Sequence, residues 1–262
     1  MHIESDPKIF YRRRLPHYQP PNETFHVTFR LVDSLPAEVA FRLKQKHERF
    51  QKSIEKVNSV SERLKIRAAH RTSYFSNCDG FLDRATKGPF WLGEDLVAAK
   101  VAETIQDHDG ELYDLFAYCL MPNHVHLLAT FWPLEANCSN AKAKEEIQGV
   151  KRSSDRLELN SRKPDIQCKR TEVRSTTAQY FLTDALRKLK GVTANECNKL
   201  LHRRGQFWHH ESYDHVVRNQ AELDRTVWYI LQNPVKAGLC GEWRDWRWSY
   251  VKREIIEQWD DA

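Results

Sequence analysis

Tyr118-Cys-Leu-Met-Pro-Asn-His-Val-His-Leu-Leu128 decides the fold. It reads as two strand halves around a Pro122-Asn123 kink. Residues i and i+2 of a strand share a face, so His124 and His126 point the same way and Val125 points into a core. Two imidazoles on one face can meet a single metal ion, which makes half of a site. A His-x-His on a strand is more often an ordinary pair of surface polar residues than a metal site. The second half of any site must come from another part of the chain.

Working outward, the kink joins strands over about 112–121 and 124–131. Phe25-His-Val-Thr-Phe-Arg-Leu-Val32 alternates in the same way, with Phe25, Val27, Phe29 and Leu31 on one face. A charged helical pattern follows over about 37–69, a loop-like stretch with Asn77-Cys-Asp-Gly80 over 70–92, and a helix over about 94–108. Beyond the kink, Tyr180 to about Arg203 is helical, with Gly191 suggesting a kink. Residues 206–217 read as a strand. A last helix opens at Asn219, with Glu222 three residues on as a capping box. It ends at Asn233-Pro234, because a residue before proline is pushed out of the α region. The order is β-α-β-β-α-β plus a C-terminal helix. That predicts an α+β, ferredoxin-like antiparallel sheet with helices on one face. The main domain spans 24–250. A basic, Pro-rich extended arm precedes it at 1–23, a polar basic insertion interrupts it at about 134–178, and a tail occupies 251–262.

Composition narrows the function classes. The 262 residues carry a net charge of +5 and a pI near 8.8, compatible with a nucleic-acid partner and with many ordinary enzymes. No apolar run reaches the ~18 residues of a membrane span. The N-terminus lacks the apolar core of a secretory signal. The six cysteines are scattered and form no Cys-x-x-Cys pair, which fits reduced thiols in a cytoplasmic protein. Eight tryptophans, five of them after residue 227, read as aromatic core or as stacking platforms for bases.

The last helix offers the missing half-site. Tyr229 and Asn233 are i and i+4 on one face, and Arg225 lies four residues earlier on the same face. The Asn233 amide oxygen can serve as a third metal ligand, Tyr229 as a nucleophile and Arg225 as a phosphate anchor. Each also has a plain reading, as a helix stop, half-buried packing and surface charge. Tyr213 is a rival nucleophile. His209, His210 and His215 read as hydrogen-bonding or DNA-contacting residues.

Several motifs together resemble a known family. Met121-Pro-Asn-His-Val-His-Leu-Leu128 is similar to the HUH signature of single-tyrosine transposases. Tyr229-Ile-Leu-Gln-Asn-Pro-Val-Lys-Ala-Gly-Leu239 resembles the nucleophile helix of the REP-associated tyrosine transposases. Residues 29–36, 190–201, 207–219 and 245–249 are also similar to that group. The resemblance implies metal-dependent cleavage and rejoining of single-stranded, hairpin-forming REP-like DNA. Tyr229 would form a 5′-phosphotyrosine, with Mg²⁺ or Mn²⁺ on His124, His126 and Asn233. The stored phosphotyrosine bond needs no ATP, in keeping with the absence of a P-loop. DNA contacts are expected from Arg12, Arg13, Arg14, Lys188, Lys190, Arg203, Arg204, Arg225 and Trp248, in a monomer or homodimer. The alternatives are a non-catalytic binder of repeat hairpins and a replication-initiator-like nickase.

Overall fold

The computed structural model describes residues 10–12, 16–18, 22–132 and 181–260. The insertion expected at 134–178, and Arg13 and Arg14 of the arm, lie outside the described residues. Within the arm, β1 (Phe10–Arg12) pairs antiparallel with β2 (Pro16–Tyr18).

Five further strands form one antiparallel sheet: β3 (Thr24–Leu31), β4 (Tyr113–Met121), β5 (His124–Phe131), β6 (Trp208–Val217) and β7 (Ser249–Val251). Their order is β6-β3-β5-β4-β7. Without β7 this is the ferredoxin-like arrangement, with the first and third strands at the centre. The hairpin register sets Met121 opposite His124 and Cys119 opposite His126. Across β3, Arg30 faces His124 and Thr28 faces His126.

Strand alternation separates two cores. Phe25, Val27, Phe29 and Leu31 of β3 join Val125, Leu127 and Ala129 of β5 on one face. Two crossover helices cover that face, α3 (Asp95–Asp107) through Val97, Val101 and Ile105, and α4 (Phe181–Leu200) through Leu182, Leu186 and Leu189. Burying one such side chain contributes roughly 1.5–3 kcal/mol. Trp208 adds a polar tie, its Nε1 donating to Thr193 Oγ1 at 2.9 Å.

The opposite face carries His124 and His126. There α5 (Gln220–Lys236) packs Val227, Ile230 and Leu231 against Ala117, Cys119, Met121 and Leu128, joined by Ile255 of α6 (Arg253–Asp260). The same face receives a helical hairpin, α1 (Ala37–Ile54) and α2 (Val60–Asp83), inserted between β3 and α3. Helices therefore cover both faces, whereas the sequence pattern places them on one.

Four local expectations change. The charged helical region is two helices, and the second begins where Ser59 accepts a bond from the Glu62 amide. Its helix runs on to Asp83 through Asn77-Cys-Asp-Gly80, a stretch that reads as a loop. The helix α4 passes through Gly191 without a break. Finally, α5 continues past Pro234 and stops at Ala237, where Gly238 adopts a φ of 70° and Leu239 N–H returns to the Pro234 carbonyl at 2.9 Å. The glycine, not the proline, ends the helix.

Candidate metal centre and nucleophile

His124 and His126 are fully buried, and their Nε2 atoms lie 3.0 Å apart. Each ring is held from its far nitrogen. His124 Nδ1 bonds the Asn123 side-chain oxygen at 2.6 Å, and that asparagine's amide donates to the Leu82 carbonyl at 3.0 Å, which ties α2 to the β4–β5 turn. His126 Nδ1 bonds Thr28 Oγ1 at 2.9 Å and His26 Nε2 at 3.2 Å. The carbonyl oxygen of Asn123 can only accept, so His124 carries its proton on Nδ1 and presents a bare Nε2 lone pair. Thr28 Oγ1 and His26 Nε2 can each donate or accept, so they allow a proton on His126 Nδ1, and in that tautomer the two Nε2 lone pairs face each other.

Burial lowers the His124 pKa to about 3 and that of His26 to about 3, and it holds His126 well below its usual value. Desolvation leads in each case; His215 also acts on His26, and His124 acts on His126. The rings are neutral at physiological pH, the form that ligates metals.

Two carboxylates from α2 complete the cluster. Asp79 Oδ1 lies 3.6 Å from His126 Nε2 and 3.9 Å from His124 Nε2, and Asp83 Oδ1 lies 3.6 Å from His124 Nε2. Among the described residues neither oxygen has a hydrogen-bond partner. Burial raises both carboxyl pKa values, Asp83 to about 6 and Asp79 well above its ordinary value, with Asp83 adding to the second. Asp79, His124 and His126 all offer ligand atoms within 4.8 Å of one another. Orphaned buried oxygens beside facing imidazole lone pairs are a cluster that a cation satisfies. Two ligands at right angles and ~2.1 Å from one ion sit ~3 Å apart, which matches the spacing of the two nitrogens. The residues fit a divalent cation; nitrogen and carboxylate donors together do not single out one metal.

Tyr229 and Asn233 share the sheet-facing side of α5. The Tyr229 hydroxyl donates to Asp79 Oδ2, so one carboxylate faces the histidine pair with one oxygen and the tyrosine with the other. The tyrosine ring also meets His126 and His26 edge-on, with centroids 5.8 and 5.9 Å away, and Lys236 Nζ lies 4.8 Å from its centroid. The Asn233 amide donates to the Tyr229 carbonyl at 3.0 Å, and its Oδ1 is buried with no partner among the described residues. A carbonyl accepts only from a donor, so this contact fixes the amide's orientation. Asp79 and Asp83 are the members of the cluster that sequence reasoning missed.

The other singled-out residues scatter. Arg225 is exposed on α5 and Arg204 is exposed before β6. Lys188 pairs with Glu111 at 2.6 Å, and Lys190 Nζ donates to the His209 carbonyl at 2.6 Å. The Arg203 guanidinium lies over Trp91 at 3.8 Å. Trp248 is 9% exposed within the first core, a position that suits packing better than stacking on a base. Arg12 ends β1. The rival Tyr213 is stacked on Phe75, 3.9 Å between centroids. Cys78, Cys119, Cys197 and Cys240 are free thiols. Among the described residues no helix is long and apolar enough to cross a membrane.

No family model matches the chain, and no curated protein matches it. Among solved structures it is similar to that of "the REP associates tyrosine transposase bound to a REP hairpin", at 14% identity over 91% of this chain and 80% of the other, with a TM-score of 0.42.

Proposed function

We propose that the chain is a metal-dependent, single-tyrosine nuclease and strand transferase for single-stranded, hairpin-forming DNA, of the REP-associated transposase kind that its motifs resemble. The observation that carries this reading is the shared carboxylate of Asp79, one oxygen toward His124 and His126 and the other bonded to the Tyr229 hydroxyl. A structural tyrosine has no need of a buried acid that also faces a metal-ligand pair.

His124, His126 and Asp79 would hold the ion, with the Asn233 Oδ1 available as a further oxygen donor. A bound Mg²⁺ or Mn²⁺ supplies positive charge against the phosphate oxygens as they gain charge in the transition state. Around it, the protein's own groups position the reactants. Asn233 and Tyr229 lie on one helical turn, so ligand and nucleophile keep a fixed relation. Asp79 Oδ2 orients the phenol and receives its proton as Oη attacks phosphorus. The bond from phosphorus to the 3′ oxygen breaks, and that oxygen leaves as a hydroxyl after taking a proton from water. The product is a 5′-phosphotyrosine. Attack by a 3′-hydroxyl on that linkage regenerates Tyr229 and rejoins DNA. Lys236, beside the tyrosine ring, offsets the negative charge of Asp79 and Asp83 and of an incoming phosphate.

The test is a denaturing gel of the protein with single-stranded REP-like hairpins and Mg²⁺ or Mn²⁺. The expected result is a covalent band that needs the metal and vanishes in Tyr229→Phe while hairpin binding persists. An adduct that survives in Tyr229→Phe moves the nucleophile elsewhere, with Tyr213 next in line. Tight binding with no adduct across a panel of hairpins would make the chain a repeat-hairpin binder.

A further inference from the structure

A second site lies on the same sheet face. A cavity of about 290 Å³ opens between the α1–α2 hairpin and strands β3 and β6. It shares walls with the metal centre. Thr28, which lines it, holds His126, and Cys78, which also lines it, precedes Asp79. Ligand pockets span roughly 300–1,000 Å³, so this one is sized for a single small ring system.

Its lining is not that of a packing defect. Arg30 is largely buried there, and burial lowers its pKa. Its Nη1 donates to the Leu31 carbonyl and to Ser34 Oγ, but among the described residues Nε and Nη2 have no partner and no carboxylate lies in ion-pair range. Glu211 supplies the complementary group. Its Oε1 reaches His210 at 3.4 Å, and its Oε2 is buried without a hydrogen-bond partner among the described residues. Tyr213, backed by Phe75, forms an aromatic wall, and Phe41 and Leu43 an apolar one. Burial pushes the Cys78 thiol up to about 11 and the Tyr74 phenol up to about 12, so both stay neutral. A guanidinium with Nε and Nη2 to spare and a carboxylate with Oε2 to spare, in one aromatic slot, ask for a planar ligand with acceptors on one edge and donors on another.

We propose that this cavity receives one unpaired guanine of single-stranded DNA, next to the phosphate held at the metal centre. Guanine is the base whose O6 and N7 accept from a guanidinium. Its N1–H and N2 amino group donate to a carboxylate. Adenine would turn an amino group toward Arg30. Unpaired bases in single strands are read through such edges and aromatic stacking. Residues 29–36 and 207–219, two of the stretches that carry the family resemblance, contribute Arg30 and Glu211. The inference rests on the single-stranded DNA reading of the chain but can fail separately from it.

The probes are fluorescent oligothymidylates with one central guanine, hypoxanthine, 7-deazaguanine or adenine, titrated by anisotropy against the whole chain. Hypoxanthine lacks the amino group offered to Glu211, and 7-deazaguanine lacks the N7 offered to Arg30. The expected result is guanine bound about tenfold tighter than either analogue, as for one charge-assisted hydrogen-bonded contact. Glu211→Leu should erase the guanine–hypoxanthine difference and Arg30→Met the guanine–7-deazaguanine difference. The two variants report separately, and a melt of each confirms that it is folded. Equal affinities in the wild type, discrimination that survives in both folded variants, or no binding of any probe would overturn the proposal. An adduct at Tyr229 with no guanine preference defeats only the pocket. A guanine preference with no adduct defeats only the nuclease.

Discussion

Asp83→Asn should make the metal-free protein more stable, and only above acid pH. The Asp83 side chain is 18% exposed, its Oδ1 has no hydrogen-bond partner among the described residues, and burial lifts its pKa from 3.8 to about 6. The folded state therefore holds the Asp83 proton more tightly than the unfolded chain does. Stability falls as pH rises from about 4 to about 6 and is level above that, the reverse of the usual salt-bridged carboxylate. The accumulated cost is roughly 3 kcal/mol at about pH 7 and roughly 0.6 kcal/mol at about pH 4. Asparagine keeps the shape and removes the charge. Its gain should match those two figures, the larger equal to about 6–12 °C in melting temperature for a chain of this size. The assay is urea unfolding followed by tryptophan fluorescence in the presence of a chelator, wild type against variant at both pH values. Titrations of the buried histidines cancel in the difference. No gain near neutrality, or an equal gain at both pH values, would refute the claim that Asp83 is held as a strained, desolvated anion. Adding Mn²⁺ should shrink the advantage of the variant, because an ion beside the wild-type carboxylate relieves the same cost.

Thr28→Val removes the hydroxyl that orients His126 and should weaken divalent-ion binding about tenfold or more, read by calorimetric titration. His124→Ala and Asn233→Ala should each reduce metal-dependent cleavage, and unchanged cleavage with both replaced would sink the proposed ligand set. His26 and His124, lowered to about 3, bind protons only when the chain unfolds. Each should cost stability as pH falls below about 6.5, by ~1.4 kcal/mol per pH unit, visible as a steeper acid transition in the wild type than in His26→Gln. Trp208→Phe should cost ~1 kcal/mol through the lost bond to Thr193, measured by urea unfolding.

The strands were legible because each alternates cleanly. Val125 and Leu127 pack into one core while His124 and His126 face the other way, as a period of two requires. Tyr229 and Asn233 were legible as partners because helical spacing fixes them on one face. The acids were not, for a reason that lies in α2. Its sheet-facing stripe is Phe75, Asp79 and Asp83, at the spacing of an amphipathic helix but with two carboxylates where apolar side chains would signal it. A carboxylate-bearing face replaces the hydrophobic period that sequence reading depends on. Asn77 and Gly80 then added turn-like composition to a stretch that tertiary contacts hold helical. Pro234 misled in the other direction, since the end of α5 is written in Gly238. Among the basic residues, Lys188, Lys190 and Arg203 have intramolecular partners that charge counting along a chain does not anticipate.

The bond between Tyr229 and Asp79 joins residues 150 positions apart, and His124 lies between them in the chain. That contact exists only once α2 and α5 are both seated on the sheet, so it is expected among the last to close. An ion bound among these groups therefore meets a site that the folding transition state does not yet contain. It should leave the folding rate almost unchanged and act on the return journey, slowing the opening of α2 and α5 away from the sheet. The cation becomes a latch on the closed molecule. Its presence would be read in an unfolding half-life, through stopped-flow dilution into denaturant with and without Mn²⁺, while the refolding limb stays where it was.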